Sequence, residues 1–231
     1  MCDIKLYVSK SPFIVAEVSD FEEDVAAVLW EPDGWGIMWC EPSGRVYWKK
    51  TLSRNDFLGF LEELADRQVL WFAMHGRTAT AGDVDLRNAH PVEFRVGRST
   101  YLLMHNGVVS IPTPPGLSDT FMFLRLLVMI SREFGVGARD ELMREGGGFF
   151  VFWDAARHEL VAAGSLPSYY LWRCGDILCV SKTMSGEEFV GTLDILRYDV
   201  RRRKLRFVLR SEEWYGGRLG GGSYEFYPYA V

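Results

Sequence analysis

The sequence predicts an α+β protein, and three observations carry that prediction. The chain from Ile4 to Lys49 is a succession of short apolar or aromatic runs punctuated by turn signals. Two amphipathic helices with serine caps follow, one after Ser53 and one after Ser118. From Phe149 to Leu209 the chain returns almost wholly to strand-like runs.

Taken in order, Ile4–Val8 and Phe13–Val18 read as strands separated by the loop signal Val8-Ser-Lys-Ser-Pro12, and Asp20–Glu31 as a short helical or loop insertion. Asp33-Gly34-Trp35-Gly36 turns into an aromatic strand, which the hairpin Glu41-Pro-Ser-Gly44 returns through Arg45–Lys49. Phe57, Leu58, Leu61 and Leu64 recur at helical spacing over Arg54–Asp66. Val69–Met74 is apolar throughout, as expected of a strand buried on both faces. Val92–Val96 and Thr100–Met104 form a hairpin about Gly97-Arg98, and Ser110–Gly116, with three prolines, is a surface loop. Phe121, Leu124, Leu127 and Val128 make a largely buried helix after Ser118, and a shorter helix spans Ala138–Glu145. The remaining strands are Phe149–Trp153, Glu159–Ala163, Tyr169–Arg173, Ile177–Ser181, Leu193–Val200 and Lys204–Leu209. Residues 1–215 read as one domain, and 216–231 as a glycine-rich segment with an aromatic tail.

Composition narrows the function. A chain of 231 residues that is 48% hydrophobic has ample material for a core. A net charge of -5 argues against nucleic acid or an anionic membrane as the main partner. The basic run Arg201–Arg206 falls where two strands turn, which places its charges in solvent. No apolar run reaches the roughly 20 residues of a membrane span, and no signal-peptide pattern opens the chain. Cys2, Cys40, Cys174 and Cys179 lack the spacing of a disulfide framework or a zinc knuckle. A cytoplasmic protein with structural Cys40, Cys174 and Cys179 is expected.

Chemistry concentrates between Met74 and Gly107, where His75-Gly-Arg77-Thr-Ala-Thr80-Ala-Gly82, Asn88-Ala-His90-Pro91 and His105-Asn106-Gly107 crowd into one span. At the other end stands Met1-Cys2. Removal of Met1 would leave a thiol and an α-amine on one residue, and an amine of pKa about 7.7–8.0 can take the thiol proton. The Asn106 amide and the Gly107 N–H are a suitable oxyanion pair. Arg77 offers a planar fork to a carboxylate, and Asp119 an acceptor for an ammonium group, the two ends of an α-amino acid. The histidines show no i, i+4 pair and no carboxylate at ligand spacing, so no metal is expected.

These motifs, with Ser118-Asp119-Thr120, stand in the order found in class II glutamine amidotransferases, and the chain resembles that family from Cys2 to about Ser181. The resemblance implies an N-terminal nucleophile hydrolase fold, a four-layer αββα sandwich of two antiparallel sheets between helices. It also implies Cys2 as nucleophile, Asn106 and Gly107 as oxyanion hole, and Arg77 and Asp119 on the glutamine carboxylate and amino group. Thr78 joins the substrate-binding set where family members often carry an aromatic residue, and Ala81 and Phe121 also depart from the family pattern. Such enzymes need no cofactor. The implied substrate is glutamine or another γ-glutamyl amide, with a separate synthase subunit as possible ammonia acceptor; the sequence leaves oligomeric state open. The rival expectations are a dedicated hydrolase of another γ-glutamyl amide and a binding module that has lost catalysis.

Overall fold

The computed structural model describes residues 2–165, 169–183 and 187–210. The glycine-rich and aromatic tail, 216–231, lies outside the described residues.

The longest ladder joins β1 (Asp3–Ile14) to β4 (Gln68–Gly76), with β10 (Ile177–Ser181) on the other edge of β1. Outward from β4 come β2 (Trp35–Cys40) and β3 (Val46–Thr51), and outward from β10 comes β9 (Tyr170–Cys174). The second half of the sheet holds β8 (Glu159–Gly164), β7 (Gly148–Asp154), β6 (Ser99–Gly107) and β5 (Val92–Val96). β11 (Glu188–Asp199) belongs to both halves: its start pairs with β9, and its end pairs with β8 and β12 (Lys204–Leu209). The register shifts between Phe189 and Gly191, and Gly191, at φ +153°, supplies the backbone freedom for that change of partner. Among the described residues eleven strands thus form one continuous antiparallel path, with β12 branching from it on β11.

The sheet curls so that its two halves face each other. Ile4, Leu6, Met38, Trp71 and Ala73 of the first half share a core with Leu102, Met104, Phe149, Val151 and Trp153 of the second. The Trp71 and Trp153 rings lie 5.7 Å apart in that core. Because strand side chains alternate, the next residue along each strand points outward, and those outward faces are covered by helices. Tyr7, Ile37, Trp39 and Phe72 pack with α1 (Phe21–Leu29) and α2 (Arg54–Leu64). Leu103, Phe150, Phe152 and Val161 pack with α3 (Asp119–Glu133) and α4 (Val136–Glu145). Strands buried on both sides explain the unbroken apolar runs of β4 and β7.

Ser53 and Ser118 cap α2 and α3 as their positions predict, each hydroxyl accepting an N–H three residues on at 3.3 Å. Two expectations change. Ile4–Val8 and Phe13–Val18 belong to one strand that ends at Ile14, with a register shift between Val8 and Phe13; Val15–Glu17 is a 3-10 turn held by the Ala16 N–H on the Ala65 carbonyl at 3.1 Å. β11 begins at Glu188 rather than Leu193, because the turn at Gly191 interrupts its side-chain alternation without ending its pairing. Cys174 and Cys179 are buried thiols, not joined by a disulfide, with sulfurs 3.6 Å apart in the β9–β10 hairpin.

Candidate active site

The register of β1 on β4 places the nucleophile candidate. Asp3 lies opposite Gly76, so Cys2, one residue earlier, falls beside the chain that leaves β4 at Arg77 and Thr78. The thiol sits 3.4 Å from both the N–H and the carbonyl oxygen of Thr78. Burial pushes the Cys2 thiol pKa above its ordinary value, with the Thr78 hydrogen bond acting in the opposite direction. The Cys2 carbonyl accepts a 2.6 Å hydrogen bond from the Lys182 ammonium, at the end of β10.

From Arg77 to Asp83 the chain folds into a wall over the thiol, held largely through its backbone. The Arg77 N–H donates to Gly34 and the Arg77 carbonyl accepts from Asp33, each at 2.9 Å. The Arg77 guanidinium donates to the carbonyls of Ala81 at 2.9 Å and Asp83 at 3.0 Å. Asp33 accepts the Ala79 N–H at 2.7 Å, and Thr78 donates its hydroxyl to Glu31. Gly82, at φ +74°, brings the wall against Leu117 and Ser118, where a Cβ would lie 2.7 Å from backbone atoms. Asn88 stitches the same region, donating to Asp83 and Gly116 and accepting the Ser118 N–H at 2.8 Å.

The end of β6 reaches the site from the other half of the sheet. His75 donates from Nε2 to the His105 carbonyl at 3.0 Å, joining β4 to β6. The same nitrogen is 2.7 Å from Nδ1 of His90, so a proton on His75 Nε2 is shared between the His105 carbonyl and His90. His105 in turn meets the Thr120 hydroxyl at 3.0 Å. Burial drives all three imidazoles toward the neutral form: His75 to about 3, His105 to about 4, and His90 well below its ordinary value. Asp119, at the start of α3, accepts the N–H groups of Val109 at 2.7 Å and Thr120 at 2.8 Å. The buried Asn106 amide donates to the Tyr169 hydroxyl at 2.7 Å.

One cavity of about 20 Å³ is lined by Cys2, Arg77, Thr78, Gly107 and Asp119, together with His90, His105 and Thr120. That is room for about one water. Five of the six residues singled out from sequence therefore line one cavity, and Asn106 stands behind it, on Tyr169. The sequence reading missed Glu31 and Asp33, which precede the Gly34-Trp35-Gly36 turn and brace the wall. It also missed Tyr169 and Lys182, which carry no spacing signal of their own. Among the described residues no group of three or more His, Cys, Asp or Glu side chains is arranged to hold a metal, and no helix is long and apolar enough to cross a membrane.

Comparison with known proteins agrees with this geometry at the level of fold and family. The glutamine phosphoribosylpyrophosphate amidotransferase from B. subtilis, solved with ADP and GMP, superimposes with a TM-score of 0.62 at 14% identity, over 89% of this chain and 48% of that one. A structure described as the allosteric regulatory enzyme of purine biosynthesis gives 0.62 at 16% identity, over 86% and 47%. The chain thus spans about half the length of these two proteins. A glutamine aminotransferase class-II domain protein from Silicibacter pomeroyi gives 0.50 at 17% identity, over 87% of this chain and 96% of that one. No curated protein matches the sequence. The family model for class-II glutamine amidotransferases matches residues 6–124, just over half of the chain and the span that carries β1 from Leu6 on, the wall, the β6 end and the start of α3, so the protein belongs to the class-II glutamine amidotransferases.

Proposed function

We propose that the protein is a glutaminase-type amidohydrolase that uses Cys2 as an N-terminal nucleophile and releases ammonia from the glutamine side chain. The observation that carries this reading is the shared cavity: the thiol, an arginine, a carboxylate and the Gly107 backbone face one space. Once Met1 is removed, the Cys2 α-amine takes the thiol proton, which burial would otherwise hold on the sulfur. The thiolate attacks the side-chain amide carbon, and the developing oxyanion is received by the Asn106 side-chain N–H and the Gly107 N–H. Collapse returns the proton to the leaving nitrogen and expels ammonia, leaving a γ-glutamyl thioester. Water activated by the same amine then frees glutamate and restores the thiol.

Arg77 uses one N–H on each of two guanidinium nitrogens for the wall, and its three remaining N–H groups suit the substrate carboxylate. Asp119 takes the ammonium end, and Thr78 forms the wall between them. A cavity of about 20 Å³ is too small for glutamine, so the 77–83 wall withdraws to admit it. The ammonia acceptor would be water or a synthase active site, a separate subunit being one form of it. The curled sheet with helices on both outer faces supports the αββα layering of N-terminal nucleophile hydrolases. Four cysteines outside any disulfide fit a reducing, cytoplasmic setting.

The test is glutamate and ammonia release from glutamine by protein whose N-terminus is verified by intact mass, with Cys2→Ala as control. Release that vanishes in the variant is expected. No release from the correctly processed chain would overturn the reading.

A further inference from the structure

Tyr169 is fully buried, and contacts to its backbone, ring and hydroxyl hold it. Its carbonyl accepts the Leu193 N–H at 3.0 Å. Its ring stacks on Phe149 with centroids 3.8 Å apart and planes 12° from parallel. Its hydroxyl receives the Asn106 amide at 2.7 Å and also meets the Ile4 backbone. Phe149 is also the residue opposite Asn106 in the β6–β7 register, so the ring that seats the tyrosine belongs to the cross-strand partner of the asparagine it touches. The Lys182 ammonium, which binds the Cys2 carbonyl, lies 5.7 Å over the tyrosine ring. The phenol therefore stands where the second half of the sheet meets the nucleophile strand.

A primary amide presents two chemically opposite ends, and a half-turn about its Cβ–Cγ bond exchanges NH2 for carbonyl. Only the NH2 end stabilises an oxyanion; the carbonyl would repel it. We propose that Tyr169 is a positioning residue that holds the Asn106 amide nitrogen toward the reacting centre, taking one N–H so that the other is presented to the oxyanion. The proposal rests on the glutaminase reading above. Burial keeps the phenol neutral by raising its pKa far above the ordinary value, so the hydroxyl stays an acceptor of constant charge across the working pH range.

Tyr169→Phe removes the hydroxyl and keeps the stacked ring. With glutamine as substrate, kcat should fall roughly 10–100-fold while KM stays within about twofold. The rate of Cys2 alkylation by iodoacetamide, which needs no oxyanion hole, should stay unchanged. Because Tyr169 acts through Asn106, the double variant Tyr169→Phe/Asn106→Ala should be no slower than Asn106→Ala alone. Multiplying losses, or a change confined to KM, would overturn the proposal. Should Tyr169→Phe fail to fold, Phe149→Leu loosens the seat while keeping the hydroxyl, and should show a smaller kcat loss with the same non-additivity. If the wild-type protein releases no ammonia, the functional reading fails and the side-chain amide spectrum decides this one. The Asn106 NH2 pair, identified by its disappearance in Asn106→Ala, should shift and exchange faster with solvent in Tyr169→Phe; an unchanged pair would overturn the assignment.

Discussion

The two strand ends that meet at Cys2 are held by different kinds of bond. Beyond β4 the main chain does most of the holding: Arg77 exchanges backbone hydrogen bonds with Asp33 and Gly34, and the guanidinium grips two carbonyls of its own loop. At the end of β6 the work falls to side chains, Asn106 on Tyr169, His105 on Thr120 and Asp119 on the Val109 N–H. A wall built on backbone contacts tolerates changes of side chain, which fits Ala81, engaged through its carbonyl alone. An end built on side chains stakes its geometry on a few identities. Variants at the β6 end should therefore cost turnover more than stability, and variants that disturb the β4 wall should do the reverse.

Cys2→Ala should have the largest effect on activity and among the smallest on folding. Loss of the nucleophile should reduce glutamine hydrolysis by more than about 10⁴-fold. The thiol makes only long 3.4 Å contacts with Thr78, so the melting temperature should move by no more than about 2 °C. A large fall in melting temperature would mean that the thiol braces the wall.

Asn106→Ala comes next, with a kcat loss of roughly 10²–10³-fold, the usual cost of one oxyanion donor. It takes the Asn106 donor from the buried Tyr169 hydroxyl, which keeps its Ile4 backbone contact, at a cost of about 1 kcal/mol. Kinetics and thermal melts of the same preparation separate the two losses. Equal damage from the conservative Asn106→Gln, which keeps the amide but displaces it, would confirm that position and not merely chemistry matters at this strand end.

On the β4 side the sharpest variant is Gly82→Ala. The backbone there is left-handed at φ +74°, and the new methyl would meet Leu117 and Ser118 backbone atoms at 2.7 Å. Strain and overpacking together should cost about 2–3 kcal/mol, lowering the melting temperature by roughly 5–10 °C. Cys2 should then alkylate faster, because the wall that covers it has been loosened. A variant as stable as the parent, with unchanged thiol reactivity, would break the contrast between the two ends.

Much of this was legible in the sequence, for identifiable reasons. Helices α2 and α3 announce themselves by serine caps and apolar spacing because those signals are local. Arg77, Gly107 and Asp119 could be named because motif order survives folding. Tyr169 could not, since a phenol beside a strand becomes a polar anchor only when β6 arrives from the other half of the sheet. Lys5 is similar: it is fully buried on β1, paired with its strand neighbour Asp3 at 3.5 Å and with Asp24 of α1 at 2.8 Å, and nothing in its own neighbourhood names Asp24. The engagement of the Arg77 fork by loop carbonyls was equally hidden, because it depends on a turn of the chain and not on residue type.

The contact between the two ends, His75 on His105 with His90 behind, yields the smallest expected effect per residue and the one that tests them together. In the unfolded chain each imidazole titrates near its ordinary value of about 6.5. In the folded protein His105 resists protonation down to about 4, His75 down to about 3, and His90 also lies far below its ordinary value. Between pH 6.5 and about 4 the unfolded state therefore binds more protons than the folded one, so stability is complete above about pH 6.5 and drains away as pH falls. Each histidine contributes at most about 1.4 kcal/mol per pH unit to that slope. Urea titrations at pH 7.5, 6.0 and 5.0 should show the loss, and His105→Asn should lower stability at pH 7.5 while reducing the slope by about a third. A stability flat from pH 7.5 to 5.0 would mean that the imidazoles take up protons without unfolding, and that the join between β4 and β6 is looser than its geometry.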